Sequence, residues 1–313
     1  MTIQKQPLII DGMNLLYRSY HGNEKLTNSK SFPTGAIYSF IRTVLGLQKK
    51  YKDFEPVFVF DKIPASALFN NEVPTHSFSP PALGDILSRK QISPDYKSNR
   101  SSMPDDLIPQ CWPLIFILHN LGYAINIANG GIEGDDLIGT LVAQSKLRGL
   151  RPKVASGDKD MLALIDDSTN TTIYNFNDKK EYNEALLAEK YSIKPSQVAD
   201  FLALKGDAID NIIGVEKCGD VTAAKWLNTY ETLNNIIANA DDIKGVVGNN
   251  LRAALHRLPQ NLMLSTLMTD LPVDYTACMK KPEPQYGIVK SIFEELEIKS
   301  FDSLLPQTDT PTP

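Results

Sequence analysis

YAINIANGGIEGDD, residues 123–136, compresses two different chemistries into one short stretch. An apolar run of strand length, Ala124 to Ala128, leads into Glu133, Asp135 and Asp136, three carboxylates within four positions. The chain continues as DDLIGTLVAQSKL, which predicts a helix with Leu137, Leu141 and Val142 on one face. Like charges about 4 Å apart repel by roughly 4 kcal/mol at an effective dielectric near 20. The first turn of a helix favours acids, because free N–H groups and the positive end of the dipole face them. Capping accounts for one or two of these acids and leaves a third to be compensated by something else.

The same arrangement recurs elsewhere. PLIID (7–11), PVFVFD (56–61) and PKVASGDKD (152–160) are also short apolar runs ending in acids. Between the runs lie amphipathic stretches such as TGAIYSFIRTVLGLQKKY and DDLIGTLVAQSKLRG. This alternation predicts an α/β protein whose central, mostly parallel sheet is flanked by helices. In such sheets ligands bind at the carboxyl ends of the strands, where Asp11, Asp61, Asp135, Asp136, Asp158 and Asp160 fall. One such acid is an ordinary strand-ending turn residue. Four occurrences at one edge are better read as convergence.

Composition narrows the function. A chain of 313 residues can hold one large domain or two smaller ones. Its 42% hydrophobic and 22% charged content is that of an ordinary soluble protein. The start, MTIQKQPLIIDG, has no secretory pattern. The apolar stretch CWPLIFILHNLGYAINIA is broken by Pro113, His119 and Asn120, so it predicts a buried helix and a strand, not a membrane span. The expectation is a cytoplasmic monomer without a membrane partner. Cys111, Cys218, Cys278 and the four histidines are scattered, so any metal needs oxygen ligands. The net charge of −5 argues against a nucleic-acid binder, unless many acids gather in a metal site.

Three regions follow from patterning. Residues 1–182 form an α/β core that includes a Pro-, Ser- and Asn-rich segment at 62–105, a length that marks functional loops. That segment carries Arg89, Lys90, Tyr96, Lys97 and Arg100, an interleaving of cations and an aromatic that suits single-stranded nucleic acid. Residues 183–302 read as a helical lobe, and 303–313 as a disordered Pro/Thr tail. In the lobe, Asp207 and Asp210 are three apart and share a face if helical. Asp158 and Asp160 would point to one side of an extended segment.

Asp11, Asp61, Glu133, Asp135, Asp136, Asp158, Asp160, Asp207 and Asp210 make nine acids in such settings. Carboxylates without His or Cys favour hard cations such as Mg²⁺, Mn²⁺ or Ca²⁺, and nine suit two ions. Two ions about 3.5–4 Å apart can generate a hydroxide nucleophile and stabilise the leaving oxygen of a phosphodiester. GVEKCGDVTAAKWL (214–227) then adds a Gly-containing hairpin entering a helix near Thr222, which presents N–H groups to a phosphate.

With these segments in place, the sequence resembles the 5′-nuclease domain of bacterial DNA polymerase I and its flap-endonuclease relatives in phages and eukaryotes. IIDGMNLLYRSYH, SFPTGAIYSF, FVFD, YKSNRSSMPDDL, GIEGDDLIGTL, SGDKDMLAL, DFLALKGDAIDNIIGV and CGDVTAAKWL occur in family order across roughly residues 7 to 300. The resemblance implies a PIN-like 5′-nuclease fold, a helical arch and a C-terminal lobe with a helix-hairpin-helix that tracks duplex DNA. It implies that all nine acids bind two Mg²⁺ ions, with Mn²⁺ able to substitute, and that K⁺ binds at the hairpin. It also implies that Lys97 and Arg100 contact the scissile phosphate, and that Arg18, Arg89, Tyr96, Gly214, Gly219 and Thr222 serve DNA binding. Three departures stand out: a longer stretch between Asp61 and Tyr96; Lys217 and Val221 where Gly and Lys are usual; and Gly134 in place of a customary Ala.

The expected activity is therefore metal-dependent hydrolysis of DNA at 5′ ends and 5′ flaps, in replication and repair, by a standalone nuclease. A non-catalytic DNA-binding homologue is the alternative from another class, and the retained acids speak against it. An RNA-directed nuclease is a third reading, disfavoured by the hairpin after Asp210.

Overall fold

The computed structural model describes residues 5–63, 88–128, 131–299 and 301. Most of the long stretch expected as an arch (64–87 of 62–105) and the expected tail at 303–313 lie outside the described residues.

The chain opens with β1 (Gln6–Asp11), α1 (Gly12–Gly22), α2 (Gly35–Lys50) and β2 (Phe54–Phe60). A short α3 (Arg89–Ile92) precedes α4 (Ile108–Asn120), β3 (Ala124–Ile127), α5 (Gly134–Leu147) and β4 (Lys153–Ala155). Two further strands, β5 (Thr172–Tyr174) and β6 (Glu181–Tyr182), close the strand-bearing part. The remainder is helical: α6 (Glu184–Tyr191), α7 (Val198–Lys205), α8 (Asp220–Tyr230), α9 (Leu233–Ala238), α10 (Gly245–Ala254), α11 (Leu258–Ser265), α12 (Tyr275–Cys278) and α13 (Tyr286–Glu295). All four apolar-run segments become strands, and the helical reading beyond 183 holds.

The described residues divide into two compact units: those within 1–81, 103–138 and 272–313 in the first, those within 82–102 and 139–271 in the second. In the first, β1 pairs in parallel with β2, and β2 with β3. Leu8, Ile9, Ile10, Val57, Phe58, Val59 and Phe60 are almost wholly buried, as strands covered on both faces should be. Phe40 of α2 packs on Phe58 and Phe60 at ring-centroid distances of 5.8 and 6.2 Å. α2 lacks a side-chain cap of its own, and Gln110 of α4 supplies one: its Oε1 accepts from the N–H of Ala36 at 2.9 Å.

In the second unit β4 pairs in parallel with β5, and β5 antiparallel with β6. α7 packs on α8 and α11, and on the 3₁₀ turn at Asp160–Leu164. Among the described residues no helix is long and apolar enough to cross a membrane.

Candidate active site

In the first unit Asp11 ends β1 and is the N-cap of α1, its Oδ1 accepting from Asn14 N–H at 2.9 Å. Opposite Val59 in the parallel register, it lies at the same strand end as Asp61, which follows β2. Asp61 Oδ1 accepts from Gly134 N–H at 2.6 Å. Glu133 provides the first helical carbonyl of α5, to Leu137 N–H, and Asp135 and Asp136 follow in the first turn. Capping thus takes an unexpected form, because an N–H that could serve a local acid is used by Asp61 from a neighbouring strand. A Cβ at residue 134 would stand 3.0 Å from that carboxylate oxygen, so glycine leaves room for the short bond. Arg18 lies exposed on α1.

In the second unit Asp158 and Asp160 follow β4, but the segment is not extended. Ser156 Oγ accepts from Asp158 N–H and Asp158 Oδ1 from Asp160 N–H, each at 3.0 Å, and Asp160 opens the 3₁₀ turn. An Asx turn, not strand alternation, brings the two acids together. Asp207 and Asp210 do not share a helix face either. α7 stops at Gly206 (φ +81°), and Asp207 and Ile212 exchange backbone bonds of 2.9 and 2.8 Å around a tight turn. Burial raises the pKa of Asp158 and raises that of Asp160 well above the usual carboxylate range; the charges of Asp210 and Asp207 add to both effects.

The turn at 94–100 docks on the 206–212 loop in two layers. Backbone and amide bonds form one: Lys97 N–H donates to Asp210 C=O at 3.0 Å, Asn99 Nδ2 to Ala208 C=O at 2.6 Å, and Asn211 Nδ2 to Asp95 C=O at 2.8 Å. The other converges on the Asp210 carboxylate, which accepts from Tyr96 O–H at 3.1 Å and from the Arg100 guanidinium, with Lys97 Nζ 3.9 Å away. Tyr96 is buried with Ile212 and Leu264, and Lys97 Nζ lies 4.9 Å from its ring centroid. Arg89 is also buried, donating to the carbonyls of Leu264 (2.9 Å) and Thr266 (3.0 Å). In this conformation both side chains face the interior of their unit.

The hairpin joins α7 to α8. Gly214 crosses Gly206 so closely that a Cβ on it would sit 2.3 Å from Gly206 N, which explains glycine there. Lys217, where glycine is usual, adopts φ +64°, a left-handed conformation that strains a non-glycine residue. Gly219 caps α8, its carbonyl accepting from Thr222 N–H at 3.1 Å and from Ala223 N–H at 3.0 Å. Val221, where lysine is usual, is 84% exposed.

Sequence reasoning missed the residues that hold these loops: Asn99, Asn211, Arg257 (to the carbonyls of Ile213 and Gly214) and Asn250 (to Glu216 C=O). Each acts through a side-chain-to-carbonyl bond to residues more than thirty positions away. Nothing in local spacing marks such a bond.

Among the described residues no group of three or more His, Cys, Asp or Glu is gathered closely enough to cage an ion. The chemistry of the donors nevertheless fits a hard cation. They are all carboxylates, and Asp158 and Asp160 carry the raised pKa values that a divalent ion would reverse.

Comparisons with known proteins agree with this anatomy. A family model described as the 5′-3′ exonuclease N-terminal resolvase-like domain matches residues 6–76 and 82–192. The 5′-3′ exonuclease C-terminal SAM fold matches residues 193–285. A 5′-3′ exonuclease of Buchnera aphidicola subsp. Acyrthosiphon pisum is 34% identical, over 85% of this chain and 88% of that protein. DNA polymerase I of Mycobacterium bovis is 30% identical over 93% of this chain, which spans only 30% of that protein. Among solved structures, T5 5′-exonuclease with bound zinc superposes with a TM-score of 0.63 at 21% identity, covering 93% of this chain and 98% of that one. The catalytic core of Rad2 with DNA gives 0.56 at 14% identity, covering 94% and 88%. These last two likenesses bear on the fold, a mostly parallel sheet with helices and a C-terminal helical region. Taken with the two family models and the Buchnera relative, they establish that the chain belongs to the 5′-3′ exonuclease family.

Proposed function

We propose that this protein is a structure-specific 5′ nuclease that hydrolyses DNA phosphodiesters at 5′ single-stranded ends and 5′ flaps, as a cytoplasmic monomer serving replication and repair. Residues 1–182 would form the catalytic core, residues 183–302 the duplex-tracking lobe. Mg²⁺ is the proposed ion, with Mn²⁺ as substitute and K⁺ at the hairpin.

Asp11, Asp61, Glu133, Asp135 and Asp136 of one unit, and Asp158, Asp160, Asp207 and Asp210 of the other, are the proposed ligands. Two bound divalent cations would supply an activated water and neutralise the leaving oxygen. Lys97 and Arg100 would balance charge on the scissile phosphate, as cations fixed before reaction do best. Arg18, Arg89 and Tyr96 would serve the substrate directly or by holding the 94–100 turn. Gly214, Gly219 and Thr222 would offer a duplex phosphate the start of α8. No histidine is needed as general base in this scheme.

The observation that carries the reading is the Asp158–Asp160 turn, where Asp158 accepts from Asp160 N–H and where burial and neighbouring carboxylates push both acids up in pKa against the opposing charges of Lys97 and Arg89. A stability-driven sequence would lose such acids; a metal enzyme needs them. Cleavage of matched DNA and RNA flaps with Mg²⁺ tests the proposal. DNA cleavage at the flap junction supports it, RNA-selective cleavage redirects it, and tight flap binding without cleavage moves the protein to the binding class.

A further inference from the structure

Asp158 is aimed by its turn, and part of what holds that turn comes from another element. Gly157 and Asp158 share one peptide group, which is bonded at both ends. Its N–H, from Asp158, donates to Ser156 Oγ at 3.0 Å, and its C=O, from Gly157, accepts from Asn177 Nδ2 at 3.0 Å. Ser156 is wholly buried, and its own N–H donates to Tyr174 C=O at 3.1 Å. Asn177 arrives on the turn between β5 and β6, which closes through other groups. Asn175 N–H donates to Lys180 C=O at 2.8 Å, Lys179 N–H to Asn175 C=O at 2.9 Å, and Asn177 N–H to Asn175 Oδ1 at 2.8 Å. The buried ring of Phe176 seats the turn.

We propose that Asn177 is a positioning residue: its amide fixes the plane of the Gly157–Asp158 peptide and with it the direction in which Asp158 presents its carboxylate. This deepens the nuclease reading and rests on it. The φ angle of Asp158 follows from that plane, and backbone angles decide which side-chain rotamers are open. Asp158 Oδ1 in turn accepts from Asp160 N–H at 3.0 Å, so the same constraint passes to the second acid. Asn177 itself is exposed, and the turn that carries it is closed by backbone bonds and Asn175. Neither core packing nor turn closure therefore calls for a donor at this position; the peptide before Asp158 does.

The test uses the full chain with Asn177→Ala and Asn177→Leu, the second keeping the shape of the amide without a donor or a charge. Deuterium exchange followed by mass spectrometry, in chelator and without DNA, reads the backbone of residues 156–160. Calorimetric Mn²⁺ titration and flap cleavage in Mg²⁺ run in parallel. Positioning predicts several-fold faster exchange over 156–160 in both variants, with Tm and exchange in β5 unchanged. It also predicts Mn²⁺ binding weakened and kcat lowered, each by about tenfold, at constant KM for the flap. Exchange and kcat that match the wild type overturn the role and leave the nuclease reading standing. A rise in KM at constant kcat overturns it too, making Asn177 a DNA contact, and a collapse of Tm does so by making it part of the fold. A wild type that neither binds Mn²⁺ nor cuts the flap overturns the nuclease reading and the role together.

Discussion

Two sets of carboxylates share the same residue types but compensate their charge by different means. In the first unit Asp11 and Asp61 each accept a backbone N–H at the start of a helix, α1 and α5. Those donors are built into the fold and are present whenever the strands and helices form. In the second unit Asp158 accepts a turn N–H from Asp160 and feels the charge of Lys97, and Asp210 accepts from Tyr96 and Arg100 with Lys97 beside it. The first unit sets backbone donors of helix starts against its acids; the second combines turn N–H donors, from Asp160 to Asp158 and from Ile209 to Asp207, with the side-chain cations at Asp210. The difference teaches that acids of one residue type need not cost the fold equally, and that metal dependence should be concentrated in the second unit's set.

The sharpest way to break this contrast is Arg100→Ala. Loss of a fixed cation at the developing charge should lower the cleavage rate constant by about 10²-fold, while circular dichroism and Tm stay near wild type because the backbone layer of docking remains. A collapse of Tm instead would make Arg100 structural.

Stability in chelator comes next, and here the two sets should respond with opposite signs. Asp11→Ala removes a helix cap, costing about 1 kcal/mol and lowering Tm by a few degrees. Asp160→Asn removes a half-buried, repelled charge and should raise Tm by a few degrees while lowering the cleavage rate. Asp160 has a folded pKa above its unfolded one, so its favourable contribution is present at acidic pH and lost as pH rises through the folded value. The Tm advantage of Asp160→Asn should therefore be largest at neutral pH and shrink toward pH 4. A gap that widens on acidification would reverse the assignment.

Gly134→Ala is the smallest expected change. Alanine favours the helix by up to about 1 kcal/mol, but its Cβ would press on Asp61 from 3.0 Å. Thermal melts should show little net shift, and steady-state assays a loss of less than about threefold. A larger loss would show that the short Asp61–Gly134 bond sets the position of Asp61.

The strand-helix alternation was legible because burial on both faces demands continuous apolar runs, such as PLIID and PVFVFD, and each ends in its acid. The same logic gave the helical lobe. It did not give β5 and β6, of three and two residues, too short to carry a period. The Asp207–Asp210 spacing suggested a helix face, yet Gly206 ends α7 and the pair sits in a turn. The inward positions of Arg89 and Tyr96 were equally hidden, because they depend on carbonyls of Leu264 and Thr266 and on the Asp210 carboxylate, all more than a hundred residues along the chain. Residue type and order announced the chemistry; long-range side-chain bonds decided its geometry.

The central claim, a divalent-ion-dependent 5′ nuclease, is tested most directly with a 5′-labelled flap duplex incubated in Mg²⁺, in EDTA, and in Mg²⁺ with the Asp158→Asn variant. The account predicts cutting near the flap junction in Mg²⁺, none in EDTA, and a loss of at least about 10²-fold in the variant, as befits a group that holds an ion worth several kcal/mol to the transition state. Cutting that survives EDTA, or is untouched by Asp158→Asn, would contradict it.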